Sequence, residues 1–339
     1  MKLKLDKKIY VICETGALGD TIATFPTLKI LADKGHIEKL FVDERYTFLY
    51  DCIFPKSIMF PLSKAVTNIP KDKVTAEVPK HVIDPKTGDA AFLSYPCIPG
   101  LPIVQTMNPY GLMPIHAHLI DAFSAAICNA ILKDSEKDTP FIPKKKLPTN
   151  KCPIDNYAVI SFGATSEQRK MTVEAFDGIK KYLASKGLGI VLLGKSDHEL
   201  KIGATGEMVM TKFDGLDDTG CCNMIDKTTI AESLSILHDA KCFIGVDGGL
   251  MHLAGMTDIP IVGGFTSVDP YYRIIYRHGE RGWKFYPVEP TTKCRYCQTE
   301  AWCAFGVNFH VCHSKTFDCM NSLTADVWTA QIARALDAM

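Results

Sequence analysis

Residues able to do chemistry gather in three short segments, each directly after an apolar run typical of a buried strand. The first ends at Asp20, the second contains Thr165, Ser166 and Lys170, and the third begins at Asp247. Loops at the carboxyl ends of parallel strands meet at one edge of a doubly wound sheet and bind ligands there. The sequence therefore predicts that all three segments line one ligand site.

The first segment places a carboxylate beside a glycine-bearing turn. Gly16 and Gly19 allow close approach of backbone to a ligand, and Ala17 and Leu18 complete the loop. Asp20 could act there as a general base. Alternatively it caps the helix that follows, and this motif alone leaves both interpretations open.

The second segment is suited to phosphate. Thr165, Ser166, Arg169 and Lys170 stand between a strand and a helix N-terminus, where hydroxyls, backbone amides and a cation can hold a diphosphate. The alternative is an ordinary solvated face of the protein.

The third segment joins an acidic residue to paired glycines. Asp247, Gly248, Gly249 and Leu250 follow a buried strand and open a helix, which suits close contact with phosphate and ribose. A tight turn with His252 facing the core is the structural alternative.

A fourth feature is a cluster of cysteines between residues 294 and 319. Cys294 and Cys297 form a Cys-x-x-Cys pair, the usual half-site for tetrahedral metal ligation. Adding Cys312 and Cys319 gives the simplest four-thiolate site, with Cys303 as the first substitute. A closed shell of this kind would staple the loop rather than catalyse. Reduced thiols without metal are the alternative.

The elements around these segments alternate between strands and helices, which predicts parallel sheets. We expect a strand at 8–13, a helix capped by Thr24 with Pro26 in its first turn and ended by Gly35, and a strand at 38–43. The chain has 339 residues, too many for one ordinary core, so we predict domains at 1–150 and 151–339, joined by a linker at 133–153.

The second domain repeats the pattern. We predict a strand at 157–162, a helix from about Thr172 to Gly187, and a capping box formed by Thr229 and Glu232. A strand at 242–246 precedes Asp247, and a terminal helix covers 326–339.

Composition narrows the class of protein. The sequence has 38 basic and 38 acidic residues, so no whole-protein field attracts it to nucleic acid. The N-terminus lacks the features of a secretory signal, and no apolar run is long enough to span a membrane. We therefore expect a cytoplasmic protein with at most peripheral membrane contact.

Together the segments resemble glycosyltransferase family 9, the ADP-heptose-dependent heptosyltransferases of lipopolysaccharide assembly and autotransporter glycosylation. The resemblance spans nearly the whole chain. It rests on residues 16–20 with Ile22 and Pro26, Arg169 and Lys170 before Phe176, residues 245–254, residues 260–262 and residues 266–270.

This resemblance implies a GT-B fold, an α/β architecture of two Rossmann-like domains facing across a cleft. The N-terminal domain would hold the acceptor and the C-terminal domain the nucleotide sugar. It further implies inverting transfer without a catalytic divalent metal, with Asp20 as general base. Lys170, Thr165 and Ser166 would neutralise the departing nucleoside diphosphate, while residues 247–250 hold the donor.

The implied donor is ADP-heptose or another ADP-sugar, and the implied acceptor is a lipopolysaccharide core, a protein or another large molecule. The autotransporter members have an iron site made of four cysteines, which favours iron, whereas the general prevalence of four-cysteine zinc sites favours zinc. Glu14 and Met171-Thr172 depart from the family pattern, so the exact donor and acceptor stay open.

Two other functions are compatible with the sequence. A sugar-nucleotide epimerase would share the GT-B architecture. Alternatively, the cysteines would form a zinc ribbon in a protein that binds nucleic acid or modifies its bases, although few basic residues lie between Cys297 and Cys319.

Overall fold

The computed structural model describes residues 8–13, 17–64, 103–105, 118–128, 131–163, 167–195, 199–202, 206–209, 217–297, 312 and 314–339. Gly16, Thr165, Ser166 and Cys303 lie outside the described residues. The chain divides into two compact units. Unit 1 consists of Met1–Ile142 and Tyr276–Arg281, and unit 2 consists of Pro143–Ile275 and Gly282–Met339.

The helices of the described residues are α1 (Leu18–Asp33), α2 (Thr47–Ile53), α3 (Leu119–Cys128), α4 (Val173–Ser185), α5 (Ile230–Asp239), α6 (Gly249–Ala254), α7 (Asp318–Asn321) and α8 (Ala325–Asp337). The strands are β1 (Ile9–Cys13), β2 (Ile37–Val42), β3 (Met59–Pro61), β4 (Ile103–Gln105), β5 (Tyr157–Ser161), β6 (Gly189–Leu192), β7 (Glu199–Ile202), β8 (Gly206–Val209), β9 (Cys222–Asn223), β10 (Phe243–Val246), β11 (Ile261–Gly264), β12 (Tyr276–Arg277), β13 (Glu280–Arg281) and β14 (Phe285–Val288).

Unit 1 contains a parallel sheet of order β3-β2-β1-β4. Every residue of β1 is buried, as expected for a parallel strand covered on both faces. Phe25 of α1 is fully buried, and its ring lies 5.0 Å from that of Tyr50 in an edge-on arrangement. Apolar contacts of α1 and α2 therefore build the core beside this sheet.

Helix α1 begins earlier than the sequence predicts, at Leu18 rather than after Thr24. Its N-cap is Ala17, which makes no side-chain capping hydrogen bond. The Thr24 hydroxyl instead donates to a backbone carbonyl inside the helix at 2.7 Å, and Pro26 lies in the helix interior. The predicted start was wrong because this helix has no capping side chain to mark it. Gly35 follows the helix at φ +70°, as predicted.

A hairpin from late in the sequence completes unit 1. Strands β12 and β13 pair in antiparallel fashion, and the Thr139 amide donates to the Tyr276 carbonyl at 2.9 Å. Lys137 is buried and bridges Asp121 at 2.8 Å and Asp134 at 3.0 Å. Its ammonium also lies 5.4 Å from the centre of the Tyr276 ring. Buried charge pairs of this kind hold one geometry strictly, since breaking one leaves an uncompensated charge.

Unit 2 contains a parallel sheet of order β14-β11-β10-β5-β6-β9. The predicted ends of its helices are confirmed. The Thr172 hydroxyl accepts from the Ala175 amide at the start of α4, and Gly187 follows that helix at φ +68°. Thr229 and Glu232 form the capping box of α5.

Helix α8 packs against α4, β11 and β14 within unit 2. Trp328 is fully buried there. A Cβ placed on Gly264 would lie 2.4 Å from the Trp328 ring, so glycine is required at this position by packing. Within the described ranges, no helix has both the length and the apolar character needed to cross a membrane.

Candidate functional site

The loops at the carboxyl ends of β5, β10 and β11 are bound to one another. The Thr266 hydroxyl donates to the Gln168 carbonyl at 2.7 Å, and the Tyr296 amide donates to the Thr266 carbonyl at 2.7 Å. The Asp247 amide donates to the Gly264 carbonyl at 3.0 Å. Three segments distant in sequence therefore form one ordered edge of the unit 2 sheet, where such sheets bind ligands.

Asp247 is the buried charge of this edge, with only 4% of the residue exposed. Nη1 of Arg169 donates to its carboxylate at 3.2 Å and to its carbonyl at 3.3 Å. Burial acts to raise the pKa of Asp247, but the charges of Arg169 and Arg273 outweigh burial and lower it. Asp247 is therefore an ionised, paired carboxylate.

The residues after Asp247 form the short helix α6. Gly248 has φ −170°, an extended conformation open to any residue, and a Cβ placed on it would meet nothing closer than the Val246 carbonyl at 3.7 Å. Gly249 and Leu250 are half-buried at the start of α6. His252 is buried in this helix, as the structural alternative requires, and burial lowers its pKa to about 4.

Lys170 lies beside this edge, directly after the 3₁₀ turn Glu167–Arg169. It is half-buried. The residue that follows it, Met171, is buried, and its amide donates to the Phe162 carbonyl at 3.2 Å. This bond returns the chain to the end of β5, so the cation belongs to the same ordered loop as Arg169.

Asp20 lies in unit 1, as the third residue of α1. It is half-buried, and its charge contributes to the raised pKa of Tyr46, behind the larger effect of burial. Ala17, exposed, holds the N-cap position, while Leu18 is half-buried and Gly19 is buried. Asp20 therefore stands in the first turn of a helix, where the helix dipole favours a carboxylate.

The thiols proposed as metal ligands converge in unit 2. Burial, followed by the nearby thiols of Cys294, Cys297 and then Cys312, raises the pKa of Cys319 to about 12. The Ser314 hydroxyl lies 3.9 Å from Sγ of Cys294 and 3.3 Å from Sγ of Cys312. All four cysteines chosen from the sequence therefore share one neighbourhood.

Cys312 differs from Cys319 in its surroundings. Burial acts to raise the Cys312 pKa, but a hydrogen bond from Ser314 and backbone N–H groups of residues 314, 315 and 317 together lower it. Hydrogen bonds of this type favour a thiolate, the form that binds metal. Yet in the described part of the chain no group of three or more His, Cys, Asp or Glu side chains is arranged to hold a metal ion. The donor set suits iron or zinc, while the observed arrangement is not a closed shell.

Two arginines join the residues predicted as donor ligands. Arg169 belongs to the predicted phosphate segment beside Lys170, whereas Arg273 lies outside all the predicted segments. Arg273 follows the 3₁₀ turn Pro270–Tyr272 after β11, and its charge acts on both Asp247 and His252. Arg169 could be recognised from the sequence as a cation that follows a strand-ending loop. Arg273 lies too far along the chain for spacing to reveal it.

Comparison with known proteins finds a family model that matches just under half of the chain. The model of glycosyltransferase family 9 (heptosyltransferase) matches residues 123–281. No curated protein matches the chain significantly by sequence.

Several solved structures are similar over almost the entire chain. The iron-containing dodecameric glycosyltransferase TibC from enterotoxigenic E. coli H10407 has a TM-score of 0.65 at 14% identity, covering 100% of this chain and 78% of TibC. For E. coli ADP-heptose LPS heptosyltransferase II the TM-score is 0.59 at 13% identity, with 98% and 99% covered. For the family 9 glycosyltransferase of Veillonella parvula DSM 2008 the values are 0.56 and 12%, with 100% and 98% covered. These likenesses confirm the predicted GT-B class of α/β fold.

Proposed function

We propose that this chain is a glycosyltransferase of family 9, whose model matches residues 123–281, and that it transfers a heptose from ADP-heptose, with inversion, to a hydroxyl of a large acceptor. A lipopolysaccharide core or a protein would supply that hydroxyl. Residence in the cytoplasm, with at most peripheral contact with a membrane, is part of the same proposal.

The observation that carries the proposal is the ordered edge of the unit 2 sheet. This edge contains the cationic side chains of Lys170 and Arg169 and also Gly248. Neither the backbone conformation of Gly248 nor the packing around it requires glycine. Gly248 is extended, and a Cβ there would make only ordinary contacts. By contrast, a Cβ on Gly245 would lie 2.6 Å from the Ser161 carbonyl. Close approach of a ligand to the backbone accounts for glycine at 248, and the cations suit a diphosphate.

The nature of the donor is supported by the similar structures. TibC has been solved in complex with ADP-D-β-D-heptose, and E. coli heptosyltransferase WaaC with ADP. We assign donor contacts to Lys170, Gly248, Gly249 and Leu250, and we keep the assignment of Thr165 and Ser166 to the donor that the sequence predicts. The N-terminal loop, Gly16 to Gly19, would face the acceptor.

The proposed reaction is a single displacement. Asp20 removes the proton of the acceptor hydroxyl as that oxygen attacks the anomeric carbon. The bond between this carbon and the diphosphate oxygen breaks, and ADP leaves with both bonding electrons. Lys170 stabilises the charge that develops on the leaving oxygen, so the scheme requires no catalytic divalent metal. A metal held by Cys294, Cys297, Cys312 and Cys319 would order the loop only.

A thermal-shift series with ADP, UDP, GDP and ADP-heptose tests the donor. A ligand that binds only the native state at 100 times its Kd adds about 2.7 kcal/mol to the free energy of unfolding. We expect ADP and ADP-heptose to raise the melting temperature more than UDP or GDP does. If none of the four ligands changes it, the proposed donor is wrong.

Product analysis then tests the reaction class. Incubation with ADP-heptose and truncated lipopolysaccharide or an acceptor protein should release ADP and add one sugar to the acceptor. Conversion of the sugar nucleotide to an epimer without release of ADP would instead identify an epimerase, an alternative that the comparisons do not favour.

A further inference from the structure

The carboxylate at the end of β10 is surrounded by cations. The Asp247 side chain is 5% exposed, and it forms an ion pair of 3.2 Å with Arg169. Arg273 is close enough that its charge lowers the pKa of both Asp247 and His252. One buried carboxylate is thus paired with Arg169 and lies within the electrostatic influence of Arg273.

The accessible groups of this cluster are the cations. The Arg169 side chain is 19% exposed and Arg273 is half-buried, whereas Asp247 offers almost no surface to a ligand. His252 is buried and uncharged at neutral pH because burial lowers its pKa to about 4. Two positive charges against one negative charge leave a net positive site for an anion.

The geometry also orients Arg169. Its Nη1 is shared between the carboxylate and the carbonyl of Asp247. A guanidinium is planar with five N–H donors in fixed directions, so holding one nitrogen fixes the directions of the others. Such a planar fork pairs with two phosphate oxygens at once.

We infer that Asp247 is a positioning residue that fixes Arg169, and that Arg169 and Arg273 form a guanidinium pair for the diphosphate of the donor. The inference rests on the proposed function, and it gives Asp247 a different role from the direct donor contact predicted from sequence. In this arrangement the ligand meets the arginines and not the carboxylate.

Calorimetric titration of ADP and of adenosine into matched variants tests this role. Arg169→Gln and Arg273→Gln should each weaken ADP binding about tenfold or more, the range for losing a charged hydrogen bond. Adenosine affinity should change less than twofold. Lys144→Gln, which breaks the exposed pair with Asp239, is the control and should leave both affinities unchanged.

Asp247→Asn separates positioning from the other roles. Removing a negative charge near phosphate would tighten ADP binding if electrostatic repulsion were the only effect, and direct contact with ribose would weaken ADP and adenosine equally. Positioning weakens ADP binding alone, and the loss in the double variant with Arg169→Gln is smaller than the sum of the two single losses, because both changes act on Arg169. Equal losses, tighter binding or additive losses would overturn the inference.

Folding and function are controlled separately. Arg169→Lys keeps the positive charge but lacks the planar fork, and it tests the inference even if Asp247→Asn fails to fold. This variant should retain the native melting temperature and bind ADP at least about fivefold more weakly. Native ADP affinity in Arg169→Lys, Arg169→Gln and Arg273→Gln would reject the guanidinium pair while the proposed function stands. Failure of the wild-type protein to bind ADP would reject both.

Discussion

Asp20 and Asp247 both stand next to glycine in a segment that follows a buried parallel strand, yet their surroundings differ. Asp20 is half-buried in the first turn of α1, whereas Asp247 is buried and paired with Arg169. A carboxylate that takes a proton from an acceptor must be reachable by that acceptor. The degree of burial therefore separates a candidate base from a candidate positioning group, a distinction that the two motifs do not show.

The largest loss of activity is expected at Asp20, so substitution there tests the contrast with Asp247 most directly. Asp20→Asn should bind ADP normally but lose at least about 100-fold in turnover, the lower range for a positioned general base. Steady-state assays of ADP release, with calorimetry for binding, measure both. Asp33→Asn, which alters the exposed pair with Lys29 at the other end of α1, should be as active as the wild type. Full activity of Asp20→Asn would make Asp20 a structural residue of the helix.

A smaller effect, on ADP affinity, is expected at Lys170, which lies at the same edge of the unit 2 sheet as Asp247. Lys170→Ala should weaken ADP binding about tenfold, because a charged hydrogen bond to phosphate is lost, and adenosine binding much less. Lys180→Ala removes an exposed pair with Asp217 in the same unit and provides the matched control. Equal losses for ADP and adenosine would contradict the assignment of Lys170 to phosphate.

The smallest effect on ADP binding is expected at the cysteine cluster, which lies in unit 2 together with Asp247. Cys294→Ser should lower the metal content from about one iron or zinc per chain and reduce the melting temperature, since metal binding adds to folding free energy. Elemental analysis and calorimetry measure these changes, and ADP affinity should change little. Cys221→Ser, at a half-buried thiol outside the cluster, is the control. A fully folded, active and metal-free wild-type protein would leave all the cysteines as reduced thiols.

Local signals in the sequence predicted much of the scaffold. The predicted helix ends at Thr172, Thr229 and Gly187 are confirmed. A capping hydroxyl or the lack of a side chain marks each of these ends in the sequence itself. The start of α1 was wrong because Ala17 carries no capping group and most of the helix is buried, which removes the usual amphipathic pattern.

The site was less accessible to sequence reasoning. Lys170 and Asp247 were identified from strand-ending loops, but their roles stay predictions, as does that of Asp20. The approach of Arg273 to Asp247 depends on tertiary packing between two loops, and no periodic pattern encodes it. The predicted assignment of acceptor and donor to the two domains likewise awaits the binding experiments.

The hairpin Tyr276–Arg281 has a consequence for how the chain is made. Unit 1 includes this hairpin, which binds Thr139 and surrounds Lys137, so the unit is incomplete until residue 281 has left the ribosome. By then β5, β6, β9, β10 and β11 of unit 2 have already been synthesised. Domains usually fold in order from the N-terminus during synthesis. Here the first unit to be started is finished only when most of the second sheet already exists.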